Sequence, residues 1–284
     1  MQIFVEIGTL QAWLHQQKSR HLSVGLVPTM GALHAGHISL VQASRKDNDI
    51  TVCSIFVNPT QFNNAADLDQ YPRTPEADFS MLRESGCDAV FCPEVASMYE
   101  QPSQMKMDFG SLDKVFEGAF RPGHFSGVGL VVSKLFNIVQ PHRAYFGQKD
   151  FQQYKIISRL VEELKFNISL IPVPIMREPD GLAMSSRNKR LNADERRRAI
   201  VLFECLTSTR AGLLQGEPFS KLKSDALRHC EKNDVRLEYL ALANKHDLSE
   251  LAMIAESKDA ILLIAAFVGE VRLIDNLFVT DASA

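Results

Sequence analysis

This 284-residue chain has no surplus of positive charge; its acids outnumber its lysines and arginines, and the formal net charge is −3. The cations are scattered, apart from Arg196-Arg197-Arg198, which follows a helix start and reads as a solvated helix face. A nucleic-acid footprint, basic and clustered, is therefore not expected. Long hydrophobic runs are missing too. The longest, residues 260–268, suits a buried strand and falls far short of the ~20 residues that a membrane span needs. Paired cysteines are lacking: the five are Cys53, Cys87, Cys92, Cys205 and Cys230, an odd number with no Cys-x-x-Cys spacing. A reduced, cytoplasmic setting fits that usage. Residues 1–13 show no basic segment followed by an apolar one, so no secretory leader is expected. The chain also has no internal repeat and no low-complexity tract.

What is present is alternation. Short apolar runs at 24–27, 50–57, 89–92, 144–146 and 168–173 are separated by helical patterns. The run Ile50-Thr51-Val52-Cys53-Ser54-Ile55-Phe56-Val57 lacks a polar face, which suggests burial on both sides in a parallel sheet. Asn58-Pro59 ends it. Thr74-Pro75-Glu76 reads as an N-cap with proline in the first turn, and Gly86 as the stop. Strand and helix in succession predict a Rossmann-like, doubly wound α/β sheet with ligands beyond the carboxyl ends of its strands. From about residue 176 the pattern changes to helices after Asn192 and Pro218, followed by strands at 235–242, 260–268 and 271–279. The expected organisation is a nucleotide- and substrate-binding domain over 1–175 and a smaller α+β domain, a lid, over 176–284.

The most informative stretch is Pro28-Thr29-Met30-Gly31-Ala32-Leu33-His34-Ala35-Gly36-His37. It leaves an apolar run and enters a helical pattern, so two glycines and two imidazoles stand on a strand-to-helix turn. Glycine lets a ligand approach the backbone, a helix N-terminus offers N–H groups to phosphate, and positions three apart share a helix face. These are parts for holding a nucleotide triphosphate. A metal site would need a third ligand, and none has convincing spacing. Gly147-Gln148-Lys149-Asp150 also leaves a strand and opens a helix. There Lys149 offers a point charge to phosphate, and Asp150 a helix cap or a partner for a ribose hydroxyl; an ordinary polar turn has the same composition. The segment Asp180-Gly181-Leu182-Ala183-Met184-Ser185-Ser186-Arg187-Asn188 sets hydroxyls beside a guanidinium, as a phosphate-closing loop or a linker would. Asn58, Gln61 and Gln153 lie near the expected ligand edge; either glutamine suits a small polar substrate or plain solvent exposure. Arg121-Pro122-Gly123-His124-Phe125 puts a cation and an imidazole on a turn suited to substrate. From the residues alone the reading reaches an adenylate-forming or nucleotidyl-transferring enzyme. The alternatives are a nucleotidyltransferase acting on another small carboxylate or phosphate, and a nucleotide-binding regulator, which would have no need of both histidines.

Taken together, these segments, with Tyr71-Pro72-Arg73-Thr74 and Glu117-Gly118-Ala119-Phe120-Arg121-Pro122-Gly123-His124-Phe125, resemble the pantoate–β-alanine ligase family across most of residues 24–190. The histidine motif resembles the HIGH signature of nucleotidylyltransferases. Met184 to Arg187 resembles their KMSKS loop, without its lysines, so that Arg187 would carry the charge. Gln148 stands where many relatives have Glu. The resemblance implies a ligase that forms an amide: ATP and pantoate give a bound pantoyl adenylate and pyrophosphate, and β-alanine then attacks to give pantothenate and AMP. It implies Mg²⁺ with ATP and no tightly bound organic cofactor. Met30, Gly31, Ala32, Leu33, His34, Ala35, Gly36 and His37 would bind ATP, as would Gly147, Gln148, Lys149, Asp150, Met176, Met184, Ser185, Ser186 and Arg187. His34, His37, Lys149 and Arg187 would be catalytic, with His37 a proton donor. Gln61, Gln153, Asn58 and Arg121 would hold substrate, and Asp78 would be a magnesium ligand. The expected partners are small molecules and a second copy of the chain in a cytoplasmic homodimer, with neither nucleic acid nor membrane.

Overall fold

The computed structural model describes residues 1–254 and 259–280. They fall into two compact units, Met1–Gln148 with Gln152–Pro174, and Lys149–Phe151 with Ile175 onward. In the first unit, β1 (Gln2–Phe4), β2 (Val24–Thr29), β3 (Ile50–Ile55), β4 (Ala89–Phe91), β5 (Arg143–Gly147) and β6 (Ser169–Val173) form one sheet in the order β1-β4-β3-β2-β5-β6. Every pairing is parallel. The helices are α1 (Ile7–Ser19), α2 (Ala35–Asp47), α3 (Ala65–Asp69), α4 (Pro75–Glu84), α5 (Val95–Met98), α6 (Glu117–Phe120), α7 (His124–Val139) and α8 (Phe151–Glu163).

All six residues of β3 are buried, as an unbroken apolar run in a doubly covered sheet should be. Val27, Cys53, Val90 and Tyr145 pack with Leu40 and Val41 of α2 and Leu82 of α4. Leu26 and Val52 face the other way by strand alternation and are equally buried. The chain runs from β2 through β3 to β4, then starts β5 on the opposite side of β2. That reversal opens a crevice at the carboxyl ends of β2 and β5, where such sheets take ligands. Neither β1 nor α1 is evident in the sequence: β1 is three residues long, and its partner, Ala89 opposite Gln2, is far along the chain.

The second unit contains α9 (Ala193–Arg198), α10 (Val201–Leu214), α11 (Phe219–Lys232) and an antiparallel sheet of β7 (Val235–Asn244), β8 (Ala260–Val268) and β9 (Val271–Phe278). Leu202, Leu206 and Leu222 of its helices pack with Leu240, Leu262 and Ile264 of its strands. The Asn192 carboxamide accepts from the N–H groups of Asp194 and Glu195, and Glu195 accepts from Asn192, a reciprocal cap. The single helix expected after Asn192 is broken between Arg198 and Val201. Nor is the arginine triplet a plain solvated face, because Arg196 forks onto Asp180 and Arg198 pairs with Asp234. Among the described residues no helix is long and apolar enough to cross a membrane, and all five cysteines are thiols.

Candidate active site

The turn after β2 is shaped by two residues with positive φ, Gly31 at 78° and Ala32 at 50°. A Cβ on Gly31 would lie a tight 3.0 Å from both Asp78 Oδ2 and Ile55 Cγ2, and its positive φ favours glycine as well. The Asp78 carboxylate, 1% exposed, gathers the turn. Oδ2 accepts from the Ala32 N–H and Oδ1 from the Leu33 N–H, each at 2.8 Å. Oδ1 also accepts from the Thr74 hydroxyl at 3.0 Å. Thr74 therefore sits at the N-cap of α4 but gives its hydroxyl to Asp78, with no side-chain cap bond. Both Asp78 oxygens serve the backbone of the turn, so the residue braces it. Among the described residues no group of three or more His, Cys, Asp or Glu is placed to hold a metal ion.

His34 and His37 meet differently from a pair on one helix face. His34 is the N-cap of α2, outside the helix, in extended conformation. Its Nδ1 accepts from the Gly36 N–H at 3.2 Å, and His37 Nδ1 accepts from the His34 N–H at 3.3 Å. The rings lie 4.1 Å apart, tilted by 49°. Accepting at Nδ1 places the proton of each neutral ring on Nε2, so both present an N–H donor at that atom. Donors expected from the helix N-terminus itself are thus partly taken up by its own imidazoles.

A second cluster lies after β3. Asn58 is buried, and its amide donates to Gln61 Oε1 and to the Gly127 carbonyl, each at 3.1 Å. Its Oδ1 accepts from the Thr60 hydroxyl at 3.0 Å and the Tyr99 hydroxyl at 2.9 Å. Burial pushes the Tyr99 phenol above its ordinary range. Gln61 is buried rather than solvent-exposed, and its amide reaches the Met30 sulfur at 3.1 Å, joining this cluster to the first. Gly127 makes the approach of α7 feasible, since a Cβ there would lie 2.3 Å from the Thr60 carbonyl oxygen. Arg121 precedes α7 and contacts His124 Nε2 at 3.2 Å. Gly147 ends β5, Gln148 opens the turn after it, and Gln153 is half-buried on α8.

In the second unit, the carbonyl of Lys149 accepts from the Asn276 amide at 2.9 Å, and the Phe151 ring meets Phe278 edge-on at 5.6 Å. Lys149 Nζ lies 3.9 Å from Asp150 Oδ2. Met176 pairs with Met184 through its carbonyl, which accepts the Met184 N–H at 3.0 Å, and Arg177 bridges to Ala183. Residues 176–184 are therefore a small hairpin and not a linker. Arg177 forks onto the buried Asp275 at 2.6 and 3.0 Å and stacks over Phe203. Burial pushes the Asp275 carboxyl up, and the guanidinium opposes that shift. The Ser185 hydroxyl accepts from the Arg187 N–H at 3.3 Å, starting the turn that carries Ser186 and Arg187. Tyr99 and Gly127 have no role in the sequence reading; Asp78 and His124 do, as a magnesium ligand and as the imidazole of a substrate turn, and the structure adds a bracing contact for each.

The model of the family described as pantoate-beta-alanine ligase matches residues 2–278. Pantothenate synthetase of Cytophaga hutchinsonii is 45% identical over 279 residues, covering 96% of this chain and 97% of that protein. The one from Bacteroides thetaiotaomicron is 46% identical, covering 98% of each. Among solved structures, pantothenate synthetase from Thermus thermophilus superposes with a TM-score of 0.88 at 40% identity, over 98% of this chain and 99% of that one. Pantoate-beta-alanine ligase from Francisella tularensis, complexed with beta-gamma ATP and beta-alanine, gives 0.81 at 33% identity over 98% of each chain. On the match of the family model and on these relatives, the chain belongs to the pantoate–β-alanine ligase family.

Proposed function

We propose that this chain condenses pantoate with β-alanine at the expense of ATP, through a pantoyl adenylate. A free carboxylate is a poor electrophile; transfer of AMP to it creates a mixed anhydride that an amine can open. The observation that carries the reading is the reciprocal bonding of His34 and His37, which presents two Nε2–H donors from one strand-to-helix turn. In-line attack by a carboxylate oxygen on the α-phosphorus needs alignment and charge support more than covalent help from the protein. His34 and His37 supply donors to the phosphates, His37 also being placed to release a proton. Lys149 and Arg187 add positive charge, Asp150 takes a ribose hydroxyl, and the backbone at Gly147, Gln148 and Met176 borders the nucleotide. Met184, Ser185 and Ser186 belong to the same phosphate loop. Gln61, Asn58, Gln153 and Arg121 hold the hydroxy acid. Magnesium arrives on ATP, where it neutralises phosphate charge. The same reading, drawn from the family, includes a cytoplasmic homodimer, with most of the nucleotide and pantoate contacts coming from residues 1–175.

The test is to mix the protein with ATP, magnesium and pantoate, leaving out β-alanine. Pyrophosphate should appear in an amount close to that of the protein, with an adenylate that β-alanine converts to a stable amide. Pyrophosphate formed only when β-alanine is present would overturn the stepwise route. An adenylate that β-alanine never resolves would favour a nucleotidyltransferase that stops after the first transfer.

A further inference from the structure

Next to the proposed pantoate turn is a buried imidazole to which the reaction as written gives no role. His124 opens α7 and is 5% exposed. Its Nδ1 lies 2.8 Å from the backbone carbonyl oxygen of Gln61, and its Nε2 lies 3.2 Å from Nη1 of Arg121. A carbonyl oxygen only accepts and a guanidinium only donates. The neutral ring with its proton on Nδ1 satisfies both partners: it donates to Gln61 and accepts from Arg121. Protonation would turn Nε2 into a donor facing another donor and set two positive charges side by side. The same Nη1 of Arg121 lies 3.9 Å from the Glu117 carboxylate. The Glu117 backbone N–H donates to Gln152 Oε1 at 3.0 Å, and the Gln152 amide donates to the carbonyls of Leu112 and Val115. Phe116, in the middle of that segment, is held at a φ of 47°. Positive φ in a bulky residue persists only where the surroundings impose it.

The plain alternative is a core histidine satisfied by its neighbours. Its two neighbours, however, come from separate loops, and each supplies a side chain proposed to hold substrate. We propose that His124 is a positioning residue: opposite nitrogens of one neutral ring keep the Gln61 turn and the Arg121 guanidinium in a single register for binding the hydroxy acid. This rests on the reading of Gln61 as a pantoate contact.

The experiment compares His124→Ala, His124→Asn and His124→Gln with Gln61→Ala and the Gln61→Ala/His124→Ala double variant. KM for pantoate is measured at saturating ATP and KM for ATP at saturating pantoate, with thermal midpoints alongside. His124→Ala should raise KM for pantoate about tenfold, the scale of one lost hydrogen bond involving a charged or buried group, and should move KM for ATP less than about twofold. Asn sets its amide near the Nδ1 position, so His124→Asn should recover most of the loss and His124→Gln less. In the double variant, losing His124 should add little to losing Gln61. The proposal is overturned if His124→Ala leaves KM for pantoate unchanged, if the two losses add in full, or if both KM values rise together as the midpoint falls. Should His124→Ala fail to fold, a His124→Gln variant at least as good as His124→Asn would overturn it. If Gln61→Ala itself leaves KM for pantoate unchanged, the reading of Gln61 is wrong and this proposal falls with it, a result distinct from the failure of His124 alone.

Discussion

An imidazole that accepts a backbone N–H at one nitrogen has only its other nitrogen to offer as a donor, so His37 holds two jobs on one ring. Nδ1 accepts from the His34 N–H, and Nε2 is assigned to the phosphates. Substitution can separate the two. His37→Asn keeps an acceptor near Nδ1 and loses the distal donor, whereas His37→Ala loses both. Pyrophosphate release should fall about 10²–10³-fold in each, the usual cost of removing a transition-state donor. Only His37→Ala should lose stability, by roughly 1 kcal/mol for the cap. A near-normal rate in His37→Asn would remove the imidazole from the chemistry. Asp78 predicts the opposite pattern. It binds backbone and not substrate, and it is buried, so Asp78→Asn should be felt in denaturant unfolding, by roughly 3 kcal/mol for its charge-assisted bonds. KM for ATP should also rise, since the Gly31–His34 turn loses its tether. A stable Asp78→Asn protein with weaker magnesium dependence alone would favour the metal-ligand reading over the brace.

The elements carry these residues through close approaches that local patterns only half disclose. The run at 50–57, the cap at Asn192 and the helix start at Pro75 are readable because burial on both faces and helix-start chemistry leave marks within a few residues. The turn at 30–37 was readable as a strand-to-helix turn for the same reason. What local sequence hides is contact over distance. Nothing around Asp78 announces that its carboxylate meets amides 45 and 46 residues earlier. Nothing around Gly127 announces the Thr60 carbonyl, 2.3 Å from where a Cβ would stand. Gly127→Ala should therefore push α7 off the Asn58–Gln61 turn. A cost of about 1–3 kcal/mol is expected for such overpacking, with KM for pantoate raised more than KM for ATP in steady-state kinetics. The hairpin at 176–184 is anchored likewise, by Asp180 on Arg196. The guanidinium beside Asp180 holds its carboxyl below the usual 3.8. With a lowered folded-state pKa, the contribution of this pair is complete above about pH 4 and fades as pH falls through that range. Asp180→Asn should remove that stretch of the acid-unfolding profile and leave the neutral plateau little changed, because the pair is largely exposed. An acid limb unaltered in the variant would show that Asp180 plays no part in it.

At the scale of the whole molecule, the core described for the second unit is built from its own residues. The cluster around Leu202, Leu206 and Cys205 takes its members from Leu182 to Val279, while the one under β2 and β3 takes its members from Val27 to Val173. A cavity at the centre of one should therefore unevenly weaken the chain. Leu206 has no exposed surface, and Leu206→Ala should cost about 2–5 kcal/mol, the transfer of a large side chain plus an incompletely collapsed void. Where cores are separate, amide protection reports the loss locally before global unfolding overtakes it. Hydrogen exchange should accelerate in β7, β8 and β9 by a factor of ten or more, with β2, β3 and β5 changed far less. The His34–His37 turn and its Asp78 brace lie in the first unit, so exchange at the amides of that turn should change no more than in β2. Equal acceleration in both sheets would mean that one cooperative unit spans the chain, and the loss of a single buried leucine in α10 would then be felt directly at the turn after β2.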